Sequence, residues 1–136
     1  MTDSDISLDL ASAFGAYALG QRFAIYVPNK DAHGKPVAQA RWVDEGLRLL
    51  SAISGGASAM PPIQGAWLNP ATQQLIIEEP IVIYSYIAPE VFTNQLPALR
   101  EFIHRLGRET GQGQMAFEFD GTFYLIDIAP QPTQAH

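Results

Sequence analysis

Apolar residues recur along this chain with two different periods, and the changes of period divide it into elements. From Arg22 to Val27 the alternation is that of a strand, with Phe23, Ile25 and Val27 sharing one face and Pro28 stopping the run. From Val37 to Ile53 the spacing becomes helical: Trp42, Val43, Gly46, Leu47, Leu50 and Ile53 fall on one stripe, while Arg41, Asp44, Glu45 and Arg48 take the outer side. Gly55-Gly56 is the expected helix exit. A hairpin follows, with Gly65 to Leu68 as one arm, Asn69-Pro70 in the turn and Leu75 to Ile87 as a long second arm that contains Pro80. Proline removes a ladder donor, so that arm is expected at a sheet edge or with a bulge.

A second helix is expected from Pro89 to Arg108, burying Phe92, Leu96, Leu99, Ile103 and Leu106, with Pro97 either kinking it or marking a first turn after a cap near Thr93 to Gln95. Gln114 to Phe119 and Thr122 to Ile128 read as a closing hairpin about Asp120-Gly121. Near the start, Ile6, Leu10, Phe14 and Tyr17 predict a short helix from Ile6 to Leu19, closed by Gly20. Strand, helix, hairpin, helix and strand in that order predict an α+β fold, a ferredoxin-like βαββαβ sandwich with an N-terminal helix and an extra C-terminal hairpin strand. The expected division is a helical extension over residues 1–20, one α+β domain over 21–129 and a flexible tail over 130–136.

Composition changes this picture by exclusion. With 136 residues one domain is expected, and with no cysteine there is no thiol nucleophile, disulfide, Cys-ligated zinc or iron–sulfur chemistry. Fourteen acidic against eight basic residues give a formal net charge of −6, which argues against broad nucleic-acid binding. The acidic start, Met1 to Asp5, is not expected to be a secretory signal, and the apolar run Ile81 to Tyr84 is far shorter than the roughly 20 residues a membrane span needs. A soluble cytoplasmic protein without a membrane or nucleic-acid partner is expected.

The strand Phe23 to Val27, the polar turn with Gly34, the helix bearing Trp42, the glycine break and Gly65-Ala66-Trp67 leading to Ile76-Ile77-Glu78 follow one another in an order that resembles a family of small bacterial proteins of unknown function with a ferredoxin-like layout. The resemblance covers Phe23 to Phe119. It implies a fold and carries over no activity, cofactor or site residue.

Candidate chemistry is sparse. Arg100, His104 and Arg108 lie at i, i+4 and i+8, with Arg105 adjacent, and could hold a phosphate or carboxylate; Tyr84 is a further candidate polar group. The plainer account of these cations is surface pairing, Glu101 with Arg105 and Arg105 with Glu109, beside a helix C-terminus that favours positive charge. Glu78 and Glu79 point to opposite faces of a strand, so they do not read as an acid and base pair. His33, His104 and His136 lack metal-ligand spacing, Ser54, Ser58 and Ser85 lack a nucleophile elbow, and the glycines do not form a phosphate loop, so neither a catalytic set, a metal nor a cofactor is expected.

The leading expectation is a non-enzymatic interaction module. It would be homodimeric through an open sheet face carrying Ile81, Ile83, Tyr84, Tyr86, Met115, Phe117 and Phe119, because both faces of Ile81 to Ile87 look apolar. A second expectation is a small-molecule binder or cofactor-free enzyme of the dimeric α+β barrel type, with a cavity between sheet and helices. A third is an acidic inhibitor or immunity-like protein that presents carboxylates to a basic protein partner.

Overall fold

The computed structural model describes residues 3 to 128. The expected flexible tail, residues 130–136, lies outside them. In chain order the elements are α1 (Asp3–Phe14), β1 (Gln21–Val27), α2 (Gln39–Ser54), β2 (Ser58–Ala59), β3 (Gly65–Leu68), β4 (Leu75–Glu78), β5 (Ile81–Ile87), α3 (Pro89–Asn94), α4 (Leu96–Glu109), β6 (Gln114–Phe119) and β7 (Thr122–Asp127). This is a mixed α+β chain. Its main sheet has five strands in the order β2-β5-β1-β6-β7, every neighbouring pair antiparallel, and β3 and β4 form a separate two-stranded ribbon.

Register fixes what each face carries, because directly paired residues point the same way. Phe23 pairs with Ser85 and Phe119, and Ile25 with Ile83 and Phe117. These residues face α2 and α4, whose Trp42, Leu50, Leu99, Phe102, Ile103 and Leu106 complete a single core with Phe23, Ile25, Val27, Ile83, Ile87 and Met115. Arg22, Ala24 and Tyr26 of β1, Val82, Tyr84 and Tyr86 of β5, and Ala116 and Glu118 of β6 therefore occupy the opposite, helix-free face.

Five of the seven residues expected at an interface are thus on the other side of the layer. Ile83 and Met115 are buried in the core, and Ile81, Phe117 and Phe119 pack against it. The reason is the pleat: Met115, Phe117 and Phe119 share the parity of Phe23, and Ile81 and Ile83 share that of Val27 and Ile25. Tyr84 and Tyr86 alone of that set stand on the open face.

Three boundaries differ from expectation for local reasons. The long hairpin arm is two strands, since Pro80 interrupts the ladder and the Glu79 N–H donates instead to the Asn29 side chain (3.1 Å), while the Gln39 amide donates to the carbonyls of Val27 (3.1 Å) and Glu79 (3.0 Å). The second helix is divided at Gln95, so Pro97 falls in the first turn of α4, and Leu96 beside the break is exposed while Phe102 takes a buried place on the stripe. The first helix stops at Gly15, whose φ of +61° ends it. Gly20 serves another purpose: a Cβ there would stand 2.3 Å from the Ile87 carbonyl carbon, so only glycine lets the chain enter β1 against the end of β5. Gly55 (φ +93°) caps α2 as expected.

Candidate functional site

The open face is not a uniform apolar surface. A cation, Arg22, and a carboxylate, Glu118, stand among its aromatic rings, and each is positioned by strand alternation. Arg22 and Tyr26 are four residues apart on β1, Glu118 lies on β6 opposite Ala24, and Tyr84 lies on β5 opposite the same Ala24. Ala24 is fully buried although it faces away from the helices, since the larger side chains around it close over its methyl group.

A cleft of about 430 Å³ crosses this face, lined by Arg22, Tyr26, Met60, Ile63, Val82, Glu118 and Gly121. Its apolar wall comes from the segment after β2. There the Met60 N–H donates to the Val82 carbonyl (2.9 Å) and the Ile63 N–H to the Pro80 carbonyl (3.0 Å), which holds both side chains along the edge of β5. Its far end is the β6–β7 turn, held by the Asp120 N–H donating to the Arg22 carbonyl (3.0 Å). A second cleft, of about 500 Å³, is lined by Leu19, the exit of α2 from Ser54 to Ser58, and Tyr84 to Tyr86. Ser54 and Ser85 hydrogen-bond to one another there, and the Ser85 hydroxyl donates to the Gly56 carbonyl (2.7 Å), which fixes the glycine turn against β5.

Tyr84 lines the second cleft and packs against Arg22, which lines the first. The Arg22 guanidinium lies 4.5 Å from the centre of its ring, and the Tyr86 ring meets it edge to face with centroids 6.2 Å apart. Tyr84 is therefore a ring that already receives a cation. The Arg22 Nε is buried and has no hydrogen-bond partner, and among the described residues Arg22 enters no ion pair. Glu118 enters none either. Burial, then the negative Glu118 beside it and the hydrogen bond to that carboxylate, push the Tyr26 hydroxyl above the ordinary tyrosine range, with Arg22 opposing.

The cationic strip on α4 is a separate place. Arg105 is paired with Glu45 (3.0 Å) and Glu109 (3.7 Å) and lies over the Trp42 ring (4.9 Å), and Arg108 reaches Glu101 at 4.0 Å. Burial, followed by repulsion from Arg100 and Arg108, holds the His104 imidazole below its ordinary value, with Glu101 opposing. These residues lie on the helix side of the sheet and Tyr84 on the other, so Arg100, His104, Arg105, Arg108 and Tyr84 do not converge on one site. Arg22, Tyr26 and Glu118 escaped the sequence reading. The signal for them was present: an arginine and a glutamate inside apolar strands, at the parity opposite to the core residues.

Among the described residues no group of three or more histidine, aspartate or glutamate side chains could hold a metal ion, and no helix is long and apolar enough to cross a membrane.

No protein-family model matches the sequence, and no characterised protein matches it at the level of sequence. Solved structures do share its fold. A phage SAM lyase in complex with S-methyl-5′-thioadenosine superposes with a TM-score of 0.55 at 17% identity, covering 82% of this chain and 92% of that one. A phage SAM lyase in the apo state gives 0.53 at 19% identity, covering 83% and 93%. At such identities the likeness is one of fold. It overturns the expectation of a non-enzymatic interaction module, because the α+β layout on which that expectation leaned carries lyase chemistry in those two proteins.

Proposed function

We propose that this chain is a small-molecule enzyme on a ferredoxin-like βαββαβ frame, whose open sheet face binds S-adenosylmethionine or a close sulfonium relative and cleaves a carbon–sulfur bond. The carrying observation is the Tyr84 ring, which lines one cleft and receives at 4.5 Å the guanidinium of Arg22, a lining residue of the other. A sulfonium is a fixed cation without hydrogen-bond donors, so an aromatic face and a nearby carboxylate are what chemistry can offer it. Tyr84, Tyr86 and Glu118 provide both on one face. The fold shared with two SAM lyase structures and a net charge of −6, which favours approach of a cation, support the same reading.

The reaction balances with the groups at hand. The bond between sulfur and the γ-carbon of the aminobutyrate moiety breaks, and its electron pair goes to sulfur, which leaves as the neutral thioether S-methyl-5′-thioadenosine. The γ-carbon is then satisfied by attack of the substrate's own carboxylate, which closes a lactone, or by loss of a β-proton to a base, which leaves an alkene. Neither route consumes water or a redox partner. In the first, opposite charges cancel as the bond breaks, so a cleft that excludes water favours it. In the second, Glu118 is the acceptor on this face.

The test is direct. Purified protein incubated with S-adenosylmethionine should release S-methyl-5′-thioadenosine in step with substrate loss, and chromatography of the four-carbon product assigns the route. Recovery of intact substrate, with thioether appearing only at the rate of a protein-free blank, contradicts the proposal.

A further inference from the structure

The first cleft holds one arginine and one glutamate, neither of them ion-paired among the described residues, on a floor of aromatic and aliphatic groups. A nucleoside alone has no use for such a pair. A free α-amino acid does, since it carries a carboxylate and an ammonium a few bonds apart, and a guanidinium and a carboxylate are their complements. Building on the sulfonium reading above, we propose that Arg22 and Glu118 are specificity residues that clamp the α-amino-acid head of the substrate, Arg22 taking the carboxylate and Glu118 the ammonium, so that the site selects sulfonium compounds with an intact α-carboxylate.

Four observations carry this assignment. The Arg22 Nε is buried without an acceptor, a state that arginine leaves readily when a carboxylate offers two oxygens to its fork. The same guanidinium occupies the face of Tyr84 on which a substrate cation would sit. When the sulfonium arrives, Arg22 gives up the ring and turns to the carboxylate, so one displacement makes room for the positive centre and satisfies the orphaned donor. Glu118 lines the cleft beside Tyr26 and lies across Ala24 from Tyr84, which sets the ammonium and sulfonium contacts on the two strands that flank β1. Met60, Ile63 and Val82 line the same cleft with apolar surface suited to the methylene groups between the two ends of the head.

The experiment compares two ligands on one folded protein. Calorimetric titration with S-adenosylmethionine and with its decarboxylated analogue should give dissociation constants that differ by about 10- to 100-fold in favour of the carboxylate, the range of a charge-assisted bidentate contact. Arg22→Met should close that gap, and Arg22→Lys should restore part of it. Equal affinities in the wild type, or a gap that survives in R22M, overturn the assignment even where S-methyl-5′-thioadenosine is still produced. A gap closed by R22M in a protein that makes no thioether leaves the clamp standing and removes the lyase reading. Failure of the wild type to bind either ligand overturns both. Because the wild-type comparison needs no variant, a folding defect in R22M does not decide the result.

Discussion

A guanidinium whose Nε is buried without a partner costs about 1–3 kcal/mol, and β1 tolerates that cost at Arg22. Part of it is offset by the Tyr84 ring, where a partly desolvated cation gains about 1–2 kcal/mol. The rest is strain held at a cleft, and it points to a ligand rather than to stability. Arg105 is the instructive contrast, for it has Glu45, Glu109 and the Trp42 ring around it and nothing left to offer. His104, on the same helix, contributes a pH dependence instead. Burial and the neighbouring Arg100 and Arg108 lower its folded-state value, Glu101 opposing, so the unfolded chain takes up the proton more readily. Stability should therefore fall as pH drops below the unfolded imidazole value of about 6.5, and His104→Gln should flatten that part of the profile. Urea midpoints at pH 5 and pH 7.5 check it; identical pH slopes in the variant and the wild type would count against this origin.

At the scale of elements, what was legible in the sequence was periodicity with one clean parity. The α2 stripe from Trp42 to Ile53 and the strand Phe23 to Val27 read correctly because each has an apolar face and a polar one. β5 did not, for Ile81, Ile83 and Ile87 alternate with Val82, Tyr84 and Tyr86, and a strand that is greasy on both sides hides which side meets the helices. The register of β5 against β1 resolves that ambiguity, and it is a non-local fact. Met115, Phe117 and Phe119 were readable, since Gln114 and Glu118 mark the opposite parity of β6 as the polar one. Pro80 signalled a disturbed ladder, but that the disturbance separates β4 from β5 depends on Asn29 and Gln39, remote in sequence. Packing between elements is tightest where Gly46 of α2 lies on β5: an added Cβ would stand 2.1 Å from the Ile83 Cδ1 and 3.3 Å from the Phe102 ring. Alanine gains about 1 kcal/mol in helix propensity at such a position, whereas overpacking a fully buried isoleucine costs about 1–3 kcal/mol. Gly46→Ala is expected to destabilise by up to about 2 kcal/mol in urea unfolding, and a stabilised variant would show that Ile83 moves freely.

Across the whole molecule, the two sides of one sheet do different work. The helix side supplies the core, with Phe23, Ile25, Leu50, Ile83, Ile87 and Leu106 all but inaccessible to water. The open side holds a charged and aromatic surface whose atoms are placed by that core without being part of it. This division explains why the candidate site, Tyr84 apart, escaped the sequence: Arg22, Tyr26, Tyr84 and Glu118 come from three strands and meet only once the sheet order β5-β1-β6 is set. It also separates the two places where a ligand could act, the open face and the α4 strip, by the full thickness of the sheet. An amide and arginine side-chain NMR titration with S-adenosylmethionine distinguishes them in one experiment. Shifts confined to β1, β5 and β6, with Arg22 Nε–H moving most among the arginines, are the predicted result; a spectrum that changes only around Arg100, His104 and Arg108, or not at all at millimolar ligand, would contradict the placement of the site.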